Sequence, residues 1–337
     1  MRMPEPPYPL HESVRDLIDP EYAAFYNEHI IDKQQVHYQP IAVSRASGIL
    51  IPGAGPMIPV GKTQDLAIKR QESEGPALRV RCFTPAAEKE PDGGWPVLLY
   101  YHGGGWVLGN LDTENVVCTN ICARANCVVV TTDYRLAPEN PFPAAVDDSW
   151  ETVLWIHGEG RELLNVDTSR IGVGGSSAGG NLAAIMAHRS VARNLPPLRV
   201  QLLNVPVMDN TADVSNNRSY KDYEHTPALP ASKMIWYRHH YLPSESDRSN
   251  PEASPLMYAD DAPTWDGLPH AIVVVGELDV LREEGEQYAA KLKRHGVSTD
   301  LHVMQRQPHP FLAMDGVLEA GRQAITYMVE GCKVGFS

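Results

Sequence analysis

The fold of this chain can be inferred from residues 170–180, which read RIGVGGSSAGG. The apolar residues 171–173 are typical of a short buried strand, and the helix-forming residues that begin at Ala178 predict a helix. So few residues separate the two elements that the turn between them must be very tight. Gly175 and Gly179 suit such a turn, because a Cβ at either position would collide with the neighbouring element.

Ser177 stands between these two glycines and completes a Gly-x-Ser-x-Gly pattern, which is typical of a nucleophile elbow. The elbow holds its serine in strained backbone and lifts the hydroxyl above the edge of the sheet. The helix N-terminus that follows favours negative charge developing there. The pattern also occurs in ordinary glycine-rich turns, but the strand before it and the helix after it meet the required context. We therefore predict that Ser177 is a nucleophile.

Strands and helices alternate through most of the chain. Apolar runs typical of buried strands lie at 97–101, 127–132, 171–173, 200–205, 272–275 and 300–304. Helical periodicity or composition lies between and after them, at 113–125, 143–157, 178–192, 281–295 and 317–330. This alternation predicts an α/β fold with a mostly parallel central sheet flanked by helices on both faces. Alternating polar and apolar residues at 65–71 and 78–83 predict an antiparallel pair before it.

Two stretches depart from this alternation and divide the chain into three predicted segments. Residues 1–64 are predicted to form an N-terminal cap segment and loop. Residues 209–266 are polar and proline-rich, with one predicted helix near 231–241, and they form a predicted cap insertion over the site. Residues 65–208 and 267–337 are predicted to form the catalytic unit. A surface excursion without a role is the alternative interpretation of the insertion.

The composition is that of a large globular protein. The chain has 337 residues, 43% of them hydrophobic, which suffices for a sizeable core. Its formal net charge is −13, and its basic residues form no stripe along the sequence. This charge pattern argues against nucleic acid as a partner, and the excess of acidic residues is expected to keep the protein in solution.

The cysteines and the N-terminus give no indication of secretion. The five cysteines show no Cys-x-x-Cys pair, so we expect small buried apolar side chains rather than a disulfide framework. Residues 1–10 are proline-rich and lack the apolar core of a signal peptide. No run of about 18 apolar residues predicts a membrane span. A cytoplasmic protein is therefore the default expectation.

A serine nucleophile needs a base and an orienting acid, which follow it along the chain in the order acid, then histidine. The acid should follow the late strand at 272–275, where Glu277 and Asp279 are both candidates. The base should follow the last strand, and His309 lies in the loop there. The histidines within the strand or near element ends are expected to be structural: His270, His295 and His302.

The chain also contains a candidate oxyanion hole, which a serine nucleophile requires. One donor should be the N–H of the residue after the nucleophile, Ala178. The others should come from a loop after an early buried strand, where residues 102–105 read HGGG. Glycines there let the backbone approach a substrate carbonyl closely and turn its N–H groups inward.

Taken together, these motifs identify a family. The chain resembles the hormone-sensitive-lipase-type esterases, within the α/β-hydrolase fold, from about residue 65 to its end. The stretches that carry the resemblance are 102–106 (HGGGW), 133–139 (DYRLAPE), 175–180 (GSSAGG), 279–285 (DVLREEG) and 309–311 (HPF).

The resemblance implies a carboxylesterase with a helical cap that acts on a small-molecule ester without metal or organic cofactor. It implies particular roles for six residues: Ser177 as nucleophile, His309 as base, Asp279 as acid, and the N–H groups of Gly104, Gly105 and Ala178 as oxyanion donors. Many relatives prefer short acyl chains and many dimerise through an edge strand, so both are expected here.

The chain departs from the family pattern at two positions. Ser176 precedes the nucleophile where the family usually has Asp or Thr, and Pro310 follows the histidine where it usually has Gly. Pro310 removes a backbone N–H and restricts φ, which affects the placement of the loop that carries His309. Neither change removes a catalytic group, so they bear on rate and substrate rather than on reaction class.

Two other functions remain open at the level of sequence. A biosynthetic transacylase or lactonase would use the same three side chains. A non-catalytic receptor of the same fold would bind a small acid and lack the base, so the presence of His309 argues against it.

Overall fold

The computed structural model describes residues 4–46 and 52–337, and within them the chain is built on one eight-stranded sheet. Residues 47–51 of the predicted N-terminal loop lie outside the described part. The strands are β1 (Lys62–Ile68), β2 (Leu78–Thr84), β3 (Trp95–Tyr101), β4 (Val128–Thr132), β5 (Val166–Ser176), β6 (Val200–Asn204), β7 (His270–Gly276) and β8 (Thr299–Met304). Their order across the sheet is β1-β2-β4-β3-β5-β6-β7-β8.

The sheet is mostly parallel, which confirms the predicted α/β-hydrolase fold. β2 pairs antiparallel with both β1 and β4, while β4-β3-β5-β6-β7-β8 form a parallel series. Parallel strands bring their carboxyl ends to one edge, and ligands of such sheets bind at that edge. The loops after β3, β5, β7 and β8 therefore meet there, and they carry the residues predicted to form the site.

Helices cover both faces of the sheet. They are α1 (Pro20–His29), α2 (Ile41–Ala46), α3 (Asn115–Ala125), α4 (Ala144–His157), α5 (Glu159–Leu163), α6 (Ala178–Ala192), α7 (Arg218–Asp222), α8 (Ala231–Tyr241), α9 (Arg282–Arg294) and α10 (Glu319–Phe336). Adjacent strand residues point to opposite faces. Leu99 accordingly packs in the cluster that contains α4, α6 and α9, and Leu98 packs in the cluster that contains α3 and α10.

The observed elements differ from the predicted ones mainly at their ends. β1 begins at Lys62, so the predicted boundary between residues 64 and 65 is wrong, because it falls inside a strand of the sheet. β5 and α10 are longer than predicted. The sequence analysis missed α2, α5 and α7, which are each only one or two turns long, because periodicity gives little signal over so few residues.

The N-terminal segment contacts the main unit at two separate places. Near its start, the N–H of Asp19 donates to the carbonyl of Arg306 at 3.0 Å, beside the loop that carries His309. Near its end, the guanidinium of Arg45 donates to the carbonyls of Val107 at 2.9 Å and Ala137 at 2.7 Å. The segment thus braces loops on two sides of the site. Among the helices of the described residues, none combines the length and apolar character needed to cross a membrane.

Candidate active site

Ser177 lies at the junction of β5 and α6, at the tip of a tight turn. Its backbone has φ 56° and ψ −119°, a strained conformation for a residue with a side chain. A Cβ at Gly179 would lie 1.8 Å from the carbonyl oxygen of Tyr101, and a Cβ at Gly175 would lie 2.4 Å from the backbone of Gly179. Both glycines are therefore required by close backbone approach. The Ser177 N–H donates to the carbonyl of Asn204 at 2.9 Å, which fixes the turn against β6.

Three side chains from three different loops form one hydrogen-bonded chain. Ser177 Oγ lies 2.9 Å from His309 Nε2, and His309 Nδ1 lies 2.7 Å from Asp279 Oδ2. Asp279 is fully buried, and its second carboxylate oxygen accepts the N–H of Leu281 at 3.0 Å. The carboxylate is thus held in one orientation, and it holds the imidazole with Nε2 toward the serine.

The alternative acid has a different partner. Glu277 Oε2 accepts the N–H of Arg306 at 2.7 Å, so its carboxylate binds the turn after β8 rather than the imidazole of His309.

The other histidines of this region lie in packing contacts. His302 stacks on Tyr327 with ring centroids 3.7 Å apart, and His295 stacks on Trp265 at 4.6 Å.

With Pro310 after it, His309 still lies within hydrogen-bond distance of Ser177 and Asp279. Pro310 precedes a short 3₁₀ helix at Phe311–Met314, a position where a missing backbone N–H costs little. The loop is held from both sides: the carbonyl of Gln307 accepts the N–H of Leu278 at 2.9 Å, and its side-chain amide donates to Asp19 at 2.7 Å. The loop that carries His309 is therefore tied to its neighbours without a backbone N–H at position 310.

The predicted oxyanion donors lie in the loop after β3 and at the start of α6. Gly104 and Gly105 have φ of 120° and 61°, a region that glycine enters without strain. Ala178 is the first residue of α6, where backbone N–H groups have no partner within the helix. Within the described residues, the N–H groups of Gly104 and Gly105 donate to no protein acceptor. These donors are thus available to a ligand oxygen.

The predicted oxyanion loop is held in place by Tyr134, in the stretch at 133–139. The hydroxyl of Tyr134 donates to the carbonyl of His102 at 2.8 Å, and the two rings stack with centroids 4.2 Å apart. His102 Nδ1 lies 2.7 Å from the carbonyl of Gly103. Burial lowers the pKa of His102 to about 4, so its imidazole is neutral at physiological pH. His102 and Tyr134 therefore hold the loop in shape without adding charge to the site.

Sequence analysis missed one carboxylate beside Ser177. Glu114 accepts hydrogen bonds from the hydroxyl of Ser176 and, at 2.7 Å, from the hydroxyl of Tyr100. Its backbone φ is 62°, a left-handed conformation uncommon outside glycine. Burial raises the pKa of Glu114, and the hydrogen bonds from Ser176 and Tyr100 act against that shift. Ser176 is thus paired with a half-buried acid, and only the position of Glu114 near a predicted helix start could have drawn notice.

Glu114→Ala should lower the free energy of unfolding by about 2–3 kcal/mol, because the hydroxyls of Ser176 and Tyr100 lose their acceptor. Glu114→Gln keeps one carbonyl oxygen and should cost less. Urea unfolding measures both variants, with Glu88→Ala, at an exposed position, as the matched control. An alanine variant as stable as the control would contradict a structural role for this carboxylate.

The fold and the site together define an α/β-hydrolase with a serine at its elbow. The chain matches the family of the α/β-hydrolase fold over residues 98–313. It belongs to the hormone-sensitive-lipase-type family, as the motifs predict.

Relatives and solved structures agree with this assignment. An AB hydrolase superfamily protein of Schizosaccharomyces pombe is 46% identical over 93% of this chain and 93% of its own length. A carboxylesterase of Mycobacterium tuberculosis is 38% identical over 73% of this chain and 75% of its own. The crystal structure of a thermostable esterase from Pseudomonas putida has a TM-score of 0.85 at 28% identity and covers 95% of this chain and 98% of its own.

Proposed function

We propose that this protein is a serine carboxylesterase that hydrolyses short- to medium-chain carboxylic esters through an acyl-enzyme intermediate. The observation that carries the proposal is the hydrogen-bonded chain from Ser177 through His309 to Asp279. Such a chain is what an activated serine requires, and the donors around it suit an oxyanion. The esterase names of several relatives support the same reaction.

In the first half of the reaction, Ser177 Oγ attacks the ester carbonyl while His309 Nε2 takes its proton. The carbonyl oxygen becomes negatively charged and accepts hydrogen bonds from the N–H groups of Gly104, Gly105 and Ala178. Each such donor typically lowers the barrier by about 2.7–4 kcal/mol. Asp279 keeps the proton of the imidazole on Nδ1 and stabilises the imidazolium that forms.

To complete formation of the acyl-enzyme, the imidazolium of His309 donates its proton to the leaving alkoxide, and the ester C–O bond breaks. The acyl group is then bonded to Ser177 Oγ. A water molecule enters, His309 takes one of its protons, and the resulting hydroxide attacks the acyl carbonyl. Collapse of this second intermediate returns the proton to Ser177 and releases the carboxylic acid.

A panel of p-nitrophenyl esters of increasing acyl length tests the proposal directly, with release of p-nitrophenolate as the readout. A fluorophosphonate label tests the nucleophile independently, because a non-catalytic receptor should not react with it. A product assay with a competing alcohol separates hydrolysis from acyl transfer, and a lactone substrate tests the lactonase alternative. Failure of every ester in the panel, with no labelling of Ser177, would refute the proposal.

The specificity constant should peak at short to medium acyl chains. The ring of Tyr237 on α8 packs against the oxyanion loop, since a Cβ at Gly105 would lie 2.3 Å from Tyr237 Cγ. One turn later, Tyr241 stacks on Trp106 at 4.2 Å. The cap helix therefore lies close above the site and limits its depth. Each buried methylene contributes about 0.8 kcal/mol until the pocket is full, and overpacking then costs about 1–3 kcal/mol.

The same ester panel checks this prediction, with kcat/KM plotted against acyl length. A rise over the first few carbons followed by a fall is the expected curve. A specificity constant that continues to climb to long acyl chains would contradict a closed cap and favour a true lipase.

We also propose that the protein is cytoplasmic and forms a homodimer through β8, which ends the sheet at one side. The end strand of a sheet offers unpaired backbone groups to a second copy. Sedimentation at micromolar concentration should give twice the monomer mass. A proline at a β8 position whose backbone N–H points away from β7 should shift the protein toward monomer. A monomer at all concentrations would contradict the dimer.

A further inference from the structure

The cap carries two basic side chains that the proposed mechanism does not use, and one of them lies near the oxyanion loop. Lys233 lies one turn before Tyr237 on α8, and its Nζ is 5.9 Å from the centre of the Tyr237 ring that packs against Gly105. His37 comes from the N-terminal segment, in a short 3₁₀ helix at Val36–Tyr38. The two side chains come from different parts of the cap, and the charge of Lys233 contributes to lowering the pKa of His37.

Lys233 is a part-buried cation without a counter-charge among the described residues. Its ammonium donates to the carbonyl of Ala228 at 2.7 Å, and no carboxylate of residues 4–46 or 52–337 forms an ion pair with it. Burial lowers the pKa of Lys233 to about 8, so the side chain is still mostly protonated at neutral pH. An ammonium that is partly withdrawn from water and has only neutral partners is suited to a neighbouring anion.

His37 is a buried polar side chain without a partner. It is 7% exposed, and in the described part of the chain neither ring nitrogen makes a hydrogen bond. Burial, and then the charge of Lys233, lower the pKa of His37 to about 4, so the ring is neutral and carries one N–H donor. Buried polar groups are nearly always hydrogen-bonded, so this imidazole is suited to a ligand that supplies an acceptor.

We propose that the ester hydrolysed at this site carries a carboxylate, which binds Lys233 and His37 in the cap. This inference rests on the proposed esterase activity of Ser177. A carboxylate supplies what both side chains lack: a negative charge for the ammonium and an acceptor for the imidazole N–H. One cation and one neutral donor match a single negative charge better than a doubly charged phosphate. The carboxylate belongs to either the acyl or the alcohol part of the ester, and the experiment distinguishes the two.

The test compares two substrates of equal shape. One is p-nitrophenyl hemiglutarate, and the other is the neutral ester in which an isopropyl group replaces the carboxylate. In Lys233→Met, the ratio of kcat/KM for the charged ester to that for the neutral ester should fall by about 10- to 100-fold, the effect of one charge-assisted hydrogen bond. Lys221→Met is the matched control, because Lys221 is an exposed lysine of the same cap insertion. The control should keep the ratio of the parent protein.

A second substrate pair moves the charge to the alcohol side. It consists of para-acetoxybenzoate and para-isopropylphenyl acetate. If the ratio falls in Lys233→Met for this pair and not for the first, the carboxylate belongs to the alcohol. His37→Leu should lower the same ratio in the same pair, by a smaller factor because only a neutral donor is lost. A ratio that changes by less than about twofold in Lys233→Met for both pairs would overturn the proposal.

A binding measurement keeps the inference separate from the proposed reaction. Ser177→Ala should bind p-nitrophenyl hemiglutarate and para-acetoxybenzoate without cleaving them, so calorimetry can compare this variant with the Ser177→Ala, Lys233→Met double variant. Tighter binding of one of these anions by the single variant supports the inference even if the native protein cleaves no ester. Equal binding of both overturns it, and cleavage of neutral esters would then leave the proposed function standing. If Lys233 served only to pack the cap, Lys233→Met would lower the midpoint of urea unfolding. We expect that midpoint to be unchanged or raised.

Discussion

Ser177→Ala should remove essentially all ester hydrolysis while the protein still folds. The hydroxyl is the only acyl acceptor in the proposed mechanism, and its Oγ lies 2.9 Å from the imidazole that would activate it. Removal of a serine nucleophile from such a triad lowers kcat by about 10⁶-fold. Steady-state hydrolysis of a p-nitrophenyl ester measures the loss, and a fluorophosphonate label should no longer attach to the variant.

Ser176→Ala is the matched control, since it removes the neighbouring hydroxyl from the same turn. That hydroxyl donates to Glu114 and makes no contact with His309, so the variant should retain most of its activity. If Ser176→Ala is inactive and Ser177→Ala is active, the register of the elbow is wrong.

Asp279→Asn should lower kcat by about 10⁴-fold with little change in structure. The carboxylate lies 2.7 Å from His309 Nδ1 and accepts a hydrogen bond from its N–H, which leaves Nε2 free to act as a base. An amide in its place can donate to Nδ1, and the imidazole then carries its proton on Nε2, where it faces the serine. The pre-steady-state burst of a p-nitrophenyl ester should slow by a similar factor, because acylation is the step affected.

Glu277→Gln provides the comparison for this prediction. Its carboxylate accepts the N–H of Arg306 and does not contact the imidazole, so the variant should lose far less activity than Asp279→Asn. The reverse ranking would assign the acid to Glu277 and would contradict the hydrogen-bonded chain described above.

The sequence alone was sufficient to predict those parts of the protein that depend on neighbouring residues. The elbow is one, because its Gly-x-Ser-x-Gly pattern lies within a single strand–turn–helix, although the closest collision at Gly179 is with Tyr101 of the adjacent strand β3. The oxyanion loop is another, since its glycines directly follow a buried strand. The parallel sheet follows from the alternation of strands and helices, and His309 from its place after the last strand. Each of these inferences needs only local periodicity and the order of elements along the chain.

Other features could be decided only by the tertiary structure, because they join residues that are far apart in sequence. Glu277 and Asp279 are two residues apart and equally suited by composition, and the direction of each carboxylate relative to His309 separates them. Glu114 meets Ser176 across 62 positions, because β3 and β5 are adjacent in the sheet and the loop after β3 returns beside the elbow.

The same reason explains why Lys233 and His37 escaped notice in the sequence. One lies in the cap insertion and the other in the N-terminal segment, and neither belongs to a motif. Local propensity decides how a strand, a turn or a helix forms, since the interactions involved span only a few residues. Which part-buried charge lacks a counter-charge depends on everything that packs around it, and that is a property of the folded chain alone.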